Sequence, residues 1–406
     1  MGRPSRRLVV CAGVLVALVA LARRTAQRGG ERHRRLWHAS PRHSVPATAL
    51  APDHLRRWVA PRRAAQAWNV TTHGRTTGYR SAANELAWLD GARRGKICAT
   101  AELPEVEAAA QVWTGYAKRA WRPGGKIAPT PTPEERRALS HFRVEPARSA
   151  AFVEPIEPLH GIARHPFARV GCPHSVAHPH DVDLFDITYL VIHNACGRPK
   201  PRVLLFDLGA SVGFKGVPGG VYAAMPAQGG GLAPSLPLLY RVYADRCLEP
   251  DAVFAWEPAP RDARGRWGEE RDWWGQLPPD KRARVRFYHD MVDEGQLPAT
   301  DHPANSFLGV LEAAAVPDDF VAVKVDIDTM GVELTIVEAL AERPELAALV
   351  DELFFEYHFH FDGMNFGWNE PGPGAVNYEV PGSDVDTAVG LMYRLRTLGV
   401  RAHFWI

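Results

Sequence analysis

Residues 203–213 read Val-Leu-Leu-Phe-Asp-Leu-Gly-Ala-Ser-Val-Gly, and this stretch decides how the rest of the chain is interpreted. Four apolar residues lead into Asp207, and Gly209, Ser211 and Gly213 follow at every second position. An uninterrupted apolar run predicts a strand that is buried on both faces of a sheet. Glycines after such a strand let the backbone turn sharply and approach a ligand. We therefore predict an α/β fold whose ligand lies beyond the carboxyl ends of parallel strands.

Two further predicted strands also end in acidic residues. Residues 252–258 read Ala-Val-Phe-Ala-Trp-Glu-Pro and end in Glu257, which can accept hydrogen bonds from the hydroxyls of a ribose. Residues 320–328 read Phe-Val-Ala-Val-Lys-Val-Asp-Ile-Asp and end in Asp326 and Asp328. The order strand, glycine loop, helix, strand, acid is much rarer than either motif alone. It predicts a site for a nucleotide-like cofactor.

The two carboxylates at the end of the third of these strands leave the same face of the sheet, because side chains alternate along a strand. Asp326 and Asp328 therefore repel each other unless a cation, a shared proton or a hydrogen-bond donor lies between them. Lys324 lies on the same face one step earlier. A plain ion pair with Lys324 is the structural alternative to a catalytic role for these carboxylates.

The first motif, Asp207-x-Gly209-x-Ser211-x-Gly213, resembles the first motif of class I S-adenosylmethionine-dependent methyltransferases. Such enzymes usually begin their first helix directly after the glycine loop. Here a Gly- and Pro-rich insert, residues 214–234, delays that helix. The insert is a candidate lid over the substrate.

The second half of the chain resembles the FkbM-type methyltransferase domain. The matching residues are Lys324-Val-Asp-Ile-Asp-Thr-Met-Gly-Val-Glu333, followed by Glu356-Tyr-His358. The resemblance covers residues 203–406, about half of the chain. It implies a Rossmann-like class I methyltransferase sheet with helices on both faces. It also implies methyl transfer from S-adenosylmethionine, often to a sugar hydroxyl.

The resemblance assigns cofactor contacts to individual residues. It implies that Asp207, Gly209, Ser211 and Gly213 line the methionine part of S-adenosylmethionine, and that Glu257 holds its ribose. The expected acceptor is a hydroxyl oxygen of a sugar, a glycan or another small molecule.

The resemblance also places Asp326 beneath the methyl group and the acceptor. A hydroxyl acceptor needs a base or a metal, because protonated alcohols are poor nucleophiles. Asp328 and His358 are the candidates for that base. A divalent metal ion is the alternative way to activate the hydroxyl, and no ligand residues are assigned to it.

Two other functions fit part of the sequence. A membrane-anchored glycosyltransferase would use the Asp326-x-Asp328 carboxylates to hold Mn²⁺ or Mg²⁺, although it leaves the glycine loop and Glu257 without a role. A non-catalytic scaffold with a degenerate methyltransferase fold would explain the inserted loop, although it does not explain the retained acids.

The charge is divided unevenly along the chain. Residues 1–150 hold 27 Lys and Arg against 10 Asp and Glu, whereas residues 151–406 hold 21 against 36. A basic, surface-interacting N-terminal part and an acidic folded part are expected. The acidic part argues against nucleic acid as a substrate, since binding a polyanion needs clustered Lys and Arg.

The N-terminal end predicts a membrane anchor. Residues 8–22 are 15 residues without a polar side chain, flanked by arginines, and residues 1–35 are assigned as a basic-flanked signal anchor. A single-pass protein of the Golgi or endoplasmic reticulum is expected, with an organellar transit peptide as the alternative. The denser positive charge after the apolar run leaves the orientation open.

The remaining chain divides into a basic, partly helical or disordered region with a Pro-rich linker, residues 36–135, and a methyltransferase-like domain, residues 150–406. The five cysteines lack the spacing of a zinc module. Whether any pair of them forms a disulfide is not predicted.

Overall fold

The computed structural model divides the chain into two units, Met1–Ala49 and Leu50–Ile406. All described residues belong to the second unit. They are residues 75–83, 85–86, 104–120, 129–145, 150–159, 190–210, 235–257, 278–288, 306–327, 330–357, 360–361, 364–365 and 385–405.

The strands, in chain order, are β1 Arg75–Arg80, β2 His141–Glu145, β3 Phe152–Pro155, β4 Val203–Leu208, β5 Ala252–Trp256, β6 Val285–Tyr288, β7 Phe320–Val325, β8 Glu352–Glu356, β9 His360–Phe361, β10 Met364–Asn365 and β11 Arg401–Trp405. The helices are α1 Pro104–Ala120, α2 Pro133–Ala138, α3 Ser235–Ala244, α4 Pro279–Arg282, α5 Phe307–Ala314, α6 Met330–Glu342, α7 Pro344–Ala347 and α8 Val385–Thr397.

Six strands form one sheet in the order β11-β8-β7-β4-β5-β6. Every neighbouring pair in this sheet is parallel. The first strand of the sheet in the sequence, β4, therefore lies at its centre, with the second and third strands on one side and the fourth to sixth on the other. This is the strand order of the doubly wound Rossmann fold. The prediction of a Rossmann-like α/β sheet is confirmed.

The apolar runs explain why β4 and β7 are central. All six residues of each strand are buried. On one face, Leu239 and Tyr243 of α3 pack in a cluster with Leu205 of β4. On the other face, Leu204 lies in a cluster that includes residues of α5, α6 and α8, such as Met392. Both faces of each central strand are therefore covered. Because no side chain of these strands faces water, their sequences are largely apolar and do not alternate with polar residues.

A second sheet is built from the N-terminal part of the same unit. Strands β1, β2 and β3 pair antiparallel in that order. Helix α2 begins with a capping box in which Thr132 and Glu135 satisfy each other's backbone N–H groups. The side chain of Thr76 in β1 donates a hydrogen bond to the carbonyl of Gly399, just before β11.

Elements of the predicted region 36–135 pair and pack with elements that follow it in the chain. Region 36–135 supplies β1, α1 and the start of α2, and β1 pairs with β2 inside the predicted boundary. Helix α1 packs through Trp113 and Tyr116 against Leu139 and Ile192. Strand β1 is absent from the sequence-based expectation, because Arg75-Thr-Thr-Gly-Tyr-Arg80 carries no apolar alternation.

A disulfide joins Cys196 to Cys247, with Cα atoms 5.0 Å apart. It fastens the segment before β4 to the turn after α3. The carbonyl of Arg246 accepts a hydrogen bond from the N–H of Ala195, which supports the same junction.

The predicted anchor, residues 8–22, lies outside the described residues. In the part of the chain that is described, no helix combines the length and the apolar character that crossing a membrane requires.

Candidate functional site

The strand order creates a topological switch point between β4 and β7. From β4 the chain continues to β5 on one side, whereas β7 is followed by β8 on the other side. Ligands of open α/β sheets bind outside the carboxyl ends of the strands at such a point. Residues after Leu208 and Val325 therefore line the candidate site, and Asp207 lies directly beside Lys324 in the strand register.

Gly209 is in close contact with the end of β7. Its φ of +79° lies in the left-handed region. A Cβ atom at this position would lie 1.5 Å from the carbonyl oxygen of Asp326, a backbone atom. The N–H of Gly209 donates to the carbonyl of Trp256 at 3.0 Å, and the N–H of Asp326 donates to the carbonyl of Leu208 at 3.1 Å. Only glycine fits here, so the predicted glycine turn has a direct physical reason.

Lys324 holds the two strand ends together. Its Nζ lies 2.7 Å from Oδ2 of Asp326 and 3.5 Å from Oδ1 of Asp207, and the lysine is fully buried. The ammonium also donates to the carbonyl of Gly209 at 3.0 Å. Burial acts to lower the pKa of Lys324, but Asp326 and Asp207 outweigh it and raise the pKa above its ordinary value. The ion pair that was the structural alternative for Asp326 is therefore present.

Asp207 lies beneath the glycine turn and is fully buried. Its Oδ2 accepts a hydrogen bond from the hydroxyl of Ser235 at 2.7 Å. Burial raises the pKa of Asp207 above its ordinary value, against the opposing effect of Lys324. In this geometry the carboxylate connects β4 to the start of α3 and to β7. A direct contact of Asp207 with a cofactor stays a prediction.

Glu257 follows β5 at the same edge of the sheet and is half-buried. Its N–H donates to the carbonyl of Tyr288 at 3.2 Å. The preceding residue, Trp256, supplies the carbonyl that binds the N–H groups of Gly209 and Ala210. Glu257 and the glycine turn are therefore neighbours at the carboxyl edge, and a contact of Glu257 with a ribose stays a prediction.

Four predicted site residues lie outside the described residues: Ser211, Gly213, Asp328 and His358. The loop after β7 is described as far as Ile327, whose N–H donates to Oε1 of buried Glu333 at 2.7 Å. Glu333 thereby fixes that loop. Its position at the start of a helix after an acidic strand end is the sequence signal for this role.

The described residues contain no group of three or more His, Cys, Asp or Glu side chains arranged to hold a metal ion. Asp326, the described member of the predicted carboxylate pair, binds the Lys324 ammonium through Oδ2, and its side chain is 17% exposed. A metal ligated by Asp326 would compete with that ammonium.

Comparisons of the chain with models of protein families, with curated proteins and with solved structures give no match. The function is therefore inferred from the geometry at the switch point and from the sequence motifs.

Proposed function

We propose that the chain is an S-adenosylmethionine-dependent methyltransferase that acts on a hydroxyl oxygen of a sugar or another small molecule. The carrying observation is the contact of Gly209 with Asp326 at the switch point. There a glycine turn and three strand-end acids, Asp207, Glu257 and Asp326, meet at one edge of a parallel sheet.

The described residues fit such a cofactor in two respects. The half-buried carboxylate of Glu257 stands at the end of the second strand, where acids of α/β nucleotide sites accept hydrogen bonds from ribose hydroxyls. Gly209 has no side chain, which lets the ends of β4 and β7 come into direct contact at the carboxyl edge of the sheet. S-adenosylmethionine would supply the methyl group.

The chain's own residues would orient the acceptor hydroxyl and remove its proton. Lys324 fixes the position of the Asp326 carboxylate, which is the partly exposed acid of the described cluster. Asp326 would orient the acceptor hydroxyl by accepting its hydrogen bond. Asp328 or His358 would take the proton, because the hydroxyl becomes nucleophilic as it loses that proton.

The disulfide supports a location in the secretory pathway. Disulfides persist in oxidising compartments such as the lumen of the endoplasmic reticulum, and Cys196 and Cys247 lie in the folded unit. With residues 8–22 as a single-pass anchor, the catalytic unit would face the lumen. If carbonate or high salt releases the full-length protein from membranes, the anchor is wrong.

Isothermal titration of the full-length chain tests the proposed function. S-adenosylmethionine and S-adenosylhomocysteine should each bind and raise the melting temperature. NAD⁺ and a set of nucleotide-sugars with Mn²⁺ serve as competing ligands, because the strand order alone also suits a dinucleotide. Heat from a nucleotide-sugar with Mn²⁺ alone would favour the glycosyltransferase, and heat from NAD⁺ alone a dinucleotide enzyme. No heat from any of them would favour a non-catalytic scaffold.

A Glu257→Gln variant provides the matched control. It keeps the size of the side chain but removes the charge that favours bonds from ribose hydroxyls. Binding of S-adenosylmethionine should weaken by about 10-fold or more, since charge-assisted hydrogen bonds contribute about 1.5–3 kcal/mol. Unchanged affinity in this variant would remove Glu257 from the proposed site.

A further inference from the structure

A small cavity lies away from the switch point, among the N-terminal elements. Its volume is about 110 Å³, and it is lined by side chains from α1, the segment before α2, β3 and the segment before β4. The lining residues that matter here are Tyr116, Thr130, Phe152, Asn194 and Arg198.

Arg198 brings an unsatisfied donor to this cavity. Its guanidinium carbon lies 4.2 Å from the centre of the Phe152 ring, so the ring fixes the side chain in place. The Nη1 atom of Arg198 is buried and has no hydrogen-bond partner among the described residues. Burial lowers the pKa of Arg198, only partly offset by the charge of Glu154. Buried polar atoms are almost always hydrogen-bonded, so we expect a ligand in the cavity to supply an acceptor for this donor.

Among the described residues that line the cavity, Glu154 is the one acid, and both of its carboxylate oxygens already have partners. Oε2 of Glu154 lies 2.8 Å from Nδ1 of His193, and Oε1 accepts a hydrogen bond from Nε of Arg401. The hydroxyl of Tyr116 donates to the carbonyl of Pro129 at 3.1 Å. Arg401 compensates the charge of Glu154, so Arg198 adds a net positive charge to the wall of the cavity.

The volume restricts the ligand to a few heavy atoms. Pockets for drug-sized ligands and cofactors are about 300–1,000 Å³, whereas a cavity of about 150 Å³ holds one benzene. A nucleotide or a whole sugar does not fit. The planar guanidinium matches a carboxylate in a two-bond arrangement. The single positive charge of Arg198 balances a monoanion such as acetate but not the dianionic form of phosphate.

From the unsatisfied Arg198 donor, its stacking on Phe152 and the size of the cavity, we propose that this cavity binds a small monocarboxylate. Acetate and formate are the simplest members of this class. The bound carboxylate would accept hydrogen bonds from Arg198, which lies in the segment that leads into β4. This site is independent of the proposed methyl transfer.

Titration calorimetry with sodium acetate tests the proposal on the full-length chain, with sodium chloride and sodium phosphate at equal ionic strength as comparisons. Acetate should bind and raise the melting temperature relative to chloride, and Arg198→Gln should weaken acetate binding by about 10- to 100-fold. The control is Arg143→Gln, which alters an arginine whose side chain is 65% exposed and which does not line the cavity. It should bind acetate as the unaltered chain does.

A second variant keeps the arginine in place, in case Arg198→Gln disturbs folding. Thr130→Tyr adds bulk at the exposed edge of the cavity, so it should also abolish acetate binding while the circular dichroism spectrum is retained. The proposal is overturned if acetate gives no effect beyond that of chloride. It is also overturned if a folded Arg198→Gln or Thr130→Tyr protein binds acetate normally, or if phosphate binds more tightly than acetate.

Discussion

Two clusters of buried charge differ in where they lie relative to the large sheet. The switch-point cluster consists of Asp207, Lys324 and Asp326, at the carboxyl ends of two adjacent strands. The edge network connects the β11 edge of the sheet to the N-terminal elements. Its members are Glu85, Glu154, Glu157, His193, Glu352, Arg396, Arg401 and His403.

The edge network joins parts of the chain that are far apart in sequence. Arg396 of α8 binds Oε1 of Glu157 at 2.9 Å and donates to the carbonyl of Ala402 through Nε and Nη2. His403 lies between Glu157 and Glu352, at 2.8 Å and 3.1 Å. These contacts attach the N-terminal elements to the last strand of the sheet.

The comparison of the two clusters shows that a shifted pKa alone does not identify a functional site. The pKa is raised for Lys324 in one cluster and for His403 in the other, in each case by carboxylates that outweigh burial. Structural ion-pair networks perturb pKa values as active sites do. Only the switch-point cluster lies beside the crevice that an open α/β sheet offers to a ligand.

Removing Arg396 should produce the largest loss of stability. Arg396→Met leaves the buried Glu157 carboxylate without this partner, and breaking a buried ion pair costs about 3–5 kcal/mol. Urea unfolding monitored by circular dichroism measures the loss. The control Arg143→Met removes an exposed pair with Glu145 and should cost less than about 1 kcal/mol. Equal losses in the two variants would show that the edge network does not hold the elements together.

Gly209→Ala should come next and should affect both stability and ligand binding. The new Cβ meets the backbone of Asp326, and alanine resists the positive φ. Strain and overpacking of this kind cost about 2–4 kcal/mol. Gly390→Ala in α8 is the control, because nothing lies within 4 Å of its Cβ position and a helical alanine should stabilise by about 0.4–1 kcal/mol. A Gly209→Ala protein with full stability and full S-adenosylmethionine affinity would contradict the packed turn.

The edge network should make stability depend on pH in both directions. Burial acts to raise the pKa of Glu154, but Arg401 and His193 outweigh it and hold the pKa below the ordinary 4.5. The stabilisation from Glu154 is therefore present above about pH 4.5 and is lost as the pH falls below it.

Burial acts to lower the pKa of His403, but Glu157 and Glu352 raise it above 6.5. That stabilisation is present below pH 6.5 and is lost as the pH rises through the raised pKa.

Thermal melts between pH 3 and pH 9 would measure this profile, with a maximum expected between about pH 5 and 7. Glu154→Gln should reduce the loss of melting temperature at acid pH, and His403→Gln should reduce the loss at alkaline pH. If the melting temperature of either variant still falls as steeply as that of the unaltered chain, another group is responsible for that part of the profile.

Asp326→Asn should have the smallest effect on stability and a large effect on turnover. The amide keeps the shape of the side chain, and Lys324 keeps its contacts with Asp207 and Gly209, so a loss of about 1–2 kcal/mol is expected. Turnover should fall by about 10²–10⁴-fold if the carboxylate orients the acceptor.

Asp328→Asn should leave folding and S-adenosylmethionine affinity intact and remove turnover. An active but destabilised Asp328→Asn enzyme would make that residue structural.

The central part of the fold could be predicted from local sequence. Continuous apolar runs gave β4, β5 and β7, because strands covered on both faces need no polar alternation. Acids directly after those runs marked the carboxyl edge, and Gly209 marked a turn that only glycine can make. The strand order itself follows from no local pattern, and the resemblance implied only a Rossmann-like sheet.

The N-terminal elements were decided only by tertiary structure. Strand β1 is polar, and it is stabilised by pairing with β2, about 65 residues later. The disulfide between Cys196 and Cys247 forms because folding brings together residues that are 51 positions apart. The edge network joins Glu157 to Arg396, 239 residues away. Local sequence encodes which faces are apolar and where the backbone can turn, and it placed Lys324 beside Asp326. The charge partners in the edge network, by contrast, exist only once distant segments have packed.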